Sequence, residues 1–130
     1  MRKSGWCILF VASCVSIFSK SSSAHHGIAH YDLKKTIILT GTVTTFDWGN
    51  PHCLIHVDVM EEDGMFRHWT LEKASINAMS RRGWAKDTVK PGDRVVVETH
   101  PAQNGTAVGI TSSPDFALKF IVNGKEVLSK

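Results

Sequence analysis

The feature that most constrains this chain is a short loop, Glu62-Asp63-Gly64, set between two runs of alternating character, His52 to Met60 and Met65 to Glu72. Gly64 suits the left-handed position of a three-residue hairpin loop. Such a loop sets Glu61 opposite Met65 and Leu54 opposite Glu72, so that even-numbered residues face even-numbered ones. Parity then sorts the side chains. Cys53, Ile55, Val57 and Val59 share one face with Trp69 and Leu71, whereas His52, His56, Asp58, His68, Thr70 and Glu72 gather on the other. A two-residue Asp63-Gly64 turn would shift the register by one and drive His68 and Glu72 against the Ile55-Val57 face, burying polar groups without partners. The three-residue loop is therefore the expected one.

The rest of the chain extends this pattern into a small barrel. Thr36 to Trp48 is rich in β-branched and aromatic residues and reads as a long, curved first strand, with Gly41 placed where it can bend or bulge. Gly49-Asn50-Pro51 ends it. Ser75 caps a short helix through about Arg82, and Gly83 at the C′ position puts Trp84 and Met79 in the hydrophobic contact of a Schellman stop. Lys90-Pro91-Gly92-Asp93 has the residues of a type II turn and leads into a fourth strand, Arg94 to His100. Asn104-Gly105 turns it into a fifth, Thr106 to Ser112, and Asn123-Gly124 closes a C-terminal hairpin of Phe116 to Val122 with Lys125 to Leu128. The predicted fold is mainly β, a small OB-like Greek-key barrel with one short helix between strands 3 and 4.

The first 24 residues read as a signal peptide and residues 25–130 as a single β-barrel domain. Met1-Arg2-Lys3 is cationic, and Gly5 to Phe18 is apolar but short of the ~20 residues of a comfortable membrane span. Ser22 and Ala24 are small at the positions a signal peptidase reads, so cleavage after Ala24 is expected, with a periplasmic or secreted product and no membrane span after cleavage. The alternative is lipoprotein processing at Cys14, following Val11-Ala12-Ser13. Beyond residue 24 the basic and acidic groups balance at 12 each. That neutrality removes the positive field which drives phosphate binding and argues against a nucleic-acid partner. After cleavage Cys53 is the last cysteine, and its place among Ile55 and Val57 reads as a small core residue.

Several segments together carry a family resemblance: Ala24-His25-His26, Trp48-Gly49-Asn50-Pro51-His52, Trp69-Thr70-Leu71-Glu72, Arg81-Arg82-Gly83-Trp84 with Asp87, and Lys90-Pro91-Gly92-Asp93. In these the chain resembles a family of small exported bacterial proteins, the domain of unknown function 6152. The resemblance implies an exported, single β-rich domain and brings no established activity. Gly27-Ile28-Ala29 and Lys73-Ala74-Ser75 depart from the family pattern, which usually has a Ser-Phe pair after the double histidine and a Gly/Ser-Pro turn before the helix.

The candidate chemistry lies in the histidines. Cleavage after Ala24 frees the α-amine of His25 beside its own imidazole, half of a histidine brace, and such nitrogen donors in a tetragonal plane suit Cu(II). Cleavage one residue earlier leaves Ala24-His25-His26, an amino-terminal copper chelate. The bland alternative is a polar tail. His52, stiffened by Pro51, is the expected third nitrogen, with His25 and His26 the other metal candidates. His56 lies roughly 13 Å along the strand from His52, too far to share an ion. Glu72 is placed to orient His52 by accepting its ring N–H, although an ion pair with Arg81 or Arg82 competes for it. Asn50, Trp48 and Arg82 complete the candidate pocket. Trp48, Trp69 and Trp84 also have core explanations, and His68 opposite Asp58 reads as cross-strand pairing.

Catalytic signatures are thin: there is no Gly-x-Ser-x-Gly, no phosphate-binding glycine loop and no His-Glu-x-x-His. Enzymatic activity would require a bound metal. The leading expectation is an exported binding module for copper or a small ligand. The alternative is a metal-free structural or interaction partner of an envelope enzyme or complex.

Overall fold

The computed structural model describes residues 27–127. The leader, Cys14, His25, His26 and Leu128 lie outside the described residues. Strands β1 (Ile37–Asp47), β2 (Leu54–Met60) and β3 (Phe66–Glu72) form a meander, helix α1 (Ile76–Arg81) follows, and then β4 (Arg94–Pro101), β5 (Val108–Ile110), β6 (Phe120–Val122) and β7 (Lys125–Glu126). The sheet order β1-β2-β3-β5-β4, with β1 also paired to β4, closes a five-stranded barrel in which β3 and β5 run parallel. This is the expected OB-like arrangement, with the helix between β3 and β4. β6 continues along β4 beyond the reach of β5 and carries β7 at the edge.

The hairpin register is the one predicted from the three-residue loop. Leu54 pairs with Glu72, Asp58 with His68 and Met60 with Phe66, Glu61 N–H donates to Met65 O at 2.9 Å, and Gly64 has φ of 80°. Cys53, Ile55, Val57, Trp69 and Leu71 are consequently buried, together with Val95, Val97 and Phe120.

The helix ends as its residues dictate. Ser75 Oγ accepts from Ala78 N–H, and Gly83 N–H and Trp84 N–H return to the carbonyls of Ser80 and Met79, the two bonds of a Schellman stop. That places Trp84 in the barrel end, where its ring meets Phe120 edge-on at 5.3 Å between centroids.

Strand 1 differs from expectation in one respect. Its register shift falls between Val43 and Thr45, not at Gly41. Gly41 instead pairs with β2 on one side and β4 on the other, and a Cβ there would run into the carbonyl of Asp58. The glycine is needed for close approach between strands, and the bulge sits where the Lys90–Asp93 turn docks: Gly92 N–H donates to Val43 O and Val43 N–H to Asp93 O, both at 2.8 Å. The fifth strand is shorter than the predicted Thr106 to Ser112. Only three of its residues pair with β3, after which the chain doubles back through the 112–117 loop, closed by the Ser112–Ala117 bridge.

Candidate functional site

A cleft of about 460 Å³ opens where the N-terminal strap crosses the mouth of the barrel. Gly27 and Ile28 form one wall, His52, Glu72 and Ala74 the floor, and the loop around Ser113 and Asp115 the opposite wall. The strap is a 3-10 turn, Ile28–His30, followed by Tyr31. It is tied to the end of β4: Asp32 N–H donates to Pro101 O, Gln103 N–H to His30 O, and the Gln103 side-chain amide to the carbonyls of Ala29 and Tyr31.

Glu72 links strap and floor. One of its carboxylate oxygens lies 2.6 Å from His52 Nδ1, and the other accepts the Tyr31 hydroxyl at 2.6 Å. A carboxylate has no proton to give, so His52 Nδ1–H donates to Glu72, and Nε2 is the ring nitrogen that Glu72 leaves unengaged. Glu72 can hold the imidazole because it is the last outward-facing residue of β3, directly opposite Leu54 and close to His52 where β2 begins. Tyr31 is buried, and burial first, then the hydrogen bond to Glu72 and that group's negative charge, push its phenol well above the ordinary range. It stays a proton donor. The strap also brings Gly27 against His52, since a Cβ at Gly27 would lie 3.9 Å from the imidazole Cε1.

Of the residues singled out from sequence, His52 and Glu72 therefore meet at the cleft. Arg82 does not pair with Glu72. Its Nη2 donates instead to the carbonyls of Ser113, at 2.7 Å, and Pro114, at 3.2 Å, holding the far wall from behind. Asn50 accepts the Ile76 N–H through Oδ1 and so tethers the first turn of α1. Trp48 packs edge-on to Phe46 at the margin of the core and is absent from the cleft lining. Trp69 and Trp84 are core residues.

The outer face of β2 and β3 holds two further histidine–carboxylate pairs, His56 with Asp47 at 3.2 Å and His68 with Asp58. The second is the cross-strand pair expected from the register. Among the described residues no group of three metal-binding side chains converges.

Two residues of the site went unnoticed in the sequence. Tyr31 is 41 positions from Glu72, and nothing local marks their contact. Lys73 is 1% exposed, its Nζ donating to Thr111 Oγ1 at 2.9 Å and lying 4.3 Å from the ring centre of Trp84 and 4.5 Å from that of Phe120. Burial foremost, and then the nearby Arg82 charge, lower its amine to about 7. Continuing the alternation of Trp69 and Leu71 by one step would have placed it inward.

Among solved structures, the chain is similar to the mitochondrial single-stranded DNA-binding protein of S. cerevisiae, at 14% identity over 69% of this chain and 96% of that one, with a TM-score of 0.46. This corrects the exclusion of nucleic acid drawn from net charge. Overall neutrality weakens long-range attraction without deciding what one face can stack against. The exclusion is withdrawn, and the likeness, which concerns the fold alone, assigns no ligand to this chain. No curated protein matches the sequence. The family of unknown function DUF6152 matches residues 12–112, most of the chain, and to that family the protein belongs.

Proposed function

We propose that this protein is an exported binding module that holds a copper ion at the mouth of its barrel. The observation that carries the reading is the His52–Glu72–Tyr31 chain. A ligating histidine commonly gives its second ring N–H to a carboxylate, which fixes the tautomer and raises the basicity of the free nitrogen. His52 has that partner, and the partner is itself anchored by a buried tyrosine. One imidazole does not make a site. His25 is two residues before Gly27, within roughly 7 Å of extended chain, and Gly27 borders His52. Processing after Ala24 would give His25 an α-amine and ring nitrogen to complete a three-nitrogen set suited to Cu(II), with His26 the alternative imidazole after the earlier cut. When bound, copper would supply a Lewis-acidic and redox-capable centre. The chain's own part is to orient the His52 imidazole and to line its surroundings.

The test is Cu(II) titration followed by electron paramagnetic resonance, on protein exported and processed by its host, with intact mass and metal content measured on the same sample. One equivalent of Cu(II) in a nitrogen-rich tetragonal signal is expected, with at least a tenfold loss of affinity in both His25→Ala and His52→Ala. Unchanged affinity in both variants rejects the site. A second reading, a metal-free interaction module, draws on the hairpin tip, where Met60, Met65 and Phe66 are all exposed. Recovery of a defined envelope complex from metal-free preparations, lost on Phe66→Ser, would favour it.

A further inference from the structure

Besides the ladder bond of Thr111 N–H to Glu72 O and the contact of Phe116 with His100, the far wall of the cleft is held from the segment that follows β3. Lys73 Nζ donates to Thr111 at the root of the 112–117 loop, Ala74 N–H donates to Ser112 Oγ at 3.4 Å, and Arg82 Nη2 donates to the carbonyls of Ser113 and Pro114. Two of these three tethers are cationic side chains, and among the described residues neither forms an ion pair. Buried charges are ordinarily paired. The groups that face the Lys73 amine and carry or can acquire charge are Arg82, from the end of α1, and the thiol of Cys53, just before β2. Trp84, Phe120 and Thr111 carry none. The carboxylate next in sequence, Glu72, is engaged on the other face with His52 and Tyr31. Arg82 Nη1, moreover, is buried without a partner.

We propose that Lys73 and Arg82 form a proton-controlled latch on the cleft wall: with the Lys73 amine neutral the wall is held shut, and with it protonated the two cations repel and Arg82 releases Ser113 and Pro114. Protonation adds no covalent step. It places a second positive charge in a dry site whose compensation is one hydroxyl, that of Thr111, and the π faces of Trp84 and Phe120, and neutral dipoles and ring quadrupoles offset part of a charge without neutralising it. The least costly relief is for Arg82, which is only half-buried, to let go of two carbonyls and turn to solvent. The lowered titration of Lys73 places this event in the neutral range. The latch does not depend on copper. It governs access to the cleft whatever the cleft holds.

The test is amide hydrogen exchange of residues 112–117 in the exported protein, corrected for the intrinsic pH dependence of exchange, from about pH 5.5 to about pH 8.5, a span that brackets the titration. About tenfold faster exchange at the acid end is expected in the wild type and a flat profile in Lys73→Met. An unchanging wild-type profile, or an equal response in Lys73→Met, overturns the latch. Carbon-13 NMR of the lysine Cε signals gives a readout that needs no variant. A Lys73 signal that titrates near the ordinary lysine value of about 10.4 also overturns it.

Discussion

Glu72 and Lys73 are neighbours of opposite charge that never meet. The pleat of β3 sends one to the outer face of the sheet and the other into the barrel, and the two surroundings treat charge in opposite ways. Outside, three histidines, one just before β2, one on β2 and one on β3, each find a carboxylate across the strands or along the mouth: His52 with Glu72, His56 with Asp47, His68 with Asp58. Water shares the cost of those pairs, so each is individually replaceable. Inside, one lysine amine lies against aromatic rings with no counter-charge, and desolvation is the largest influence on it, disfavouring its charged form. The outer face is a place for recognition because its pairs are inexpensive to rearrange, and the interior is a place for control because its single charge is not.

If that contrast holds, the largest effect belongs to Lys73. Its amine titrates near 7 in the fold and near 10.4 in the unfolded chain. Between those values the unfolded state binds a proton that the native state does not, so stability rises with pH across the window. Below about 7 both states are protonated and the fold bears the full penalty; above the unfolded value neither is, and the penalty is gone. Denaturant unfolding of the wild type should therefore show stability climbing by up to about 1.4 kcal/mol per pH unit from neutral toward pH 10. Lys73→Met should lack that rise and be the more stable protein at pH 7. A wild-type slope that survives in Lys73→Met would assign the rise to other groups and erase the contrast between the faces.

An intermediate effect belongs to Tyr31, which bridges the two settings by lying buried while it donates to an outer-face carboxylate. Tyr31→Phe keeps the ring and removes the hydroxyl. A loss of about 1.5–3 kcal/mol is expected, the range for hydrogen bonds to charged groups. The His52 ring signals should also shift in NMR, because Glu72 would lose its second anchor. A variant as stable as the wild type, with His52 unmoved, would leave Glu72 to orient the imidazole unaided.

The legible parts of this molecule were those set by local geometry. A three-residue loop determines parity, and parity determined which residues of β2 and β3 are buried, which histidine faces Asp58, and that Glu72 lies near His52. The stop at Gly83 and the turn at Lys90–Asp93 were readable for the same reason, since a left-handed residue leaves few alternatives. What stayed hidden depended on long-range placement. Tyr31 reaches Glu72 only because the strap bonds to the end of β4. Arg82 chooses two carbonyls of a loop over a carboxylate because α1 ends behind that loop. A glycine inside a strand has two uses, a bend or a close approach, and only the pairing of β1 on both edges reveals that Gly41 serves the second. Lys73 is hidden for another reason: its charge argues for the surface, whereas the alternation of the strand it follows argues for the core.

The smallest effect should come from His68, the most exposed member of the three outer pairs. Its Nδ1 meets Asp58 across the strands and its ring is otherwise in water, so the pair resembles the cleft pair in chemistry while lacking a buried anchor such as Tyr31. Cross-strand and surface pairs of this kind contribute roughly 0.2–1 kcal/mol. His68→Ala should accordingly lower stability by less than about 1 kcal/mol in denaturant unfolding and leave Cu(II) affinity as it was. His52→Ala changes the same residue type on the same face, so the two variants differ in what stands behind the imidazole and in whether it borders the strap. Equal losses of copper in both would mean that any exposed histidine of the sheet binds the ion and that the Glu72–Tyr31 support is incidental. A loss confined to His52→Ala would place the distinction where the geometry has it, at the imidazole that borders the strap and whose carboxylate is anchored by Tyr31.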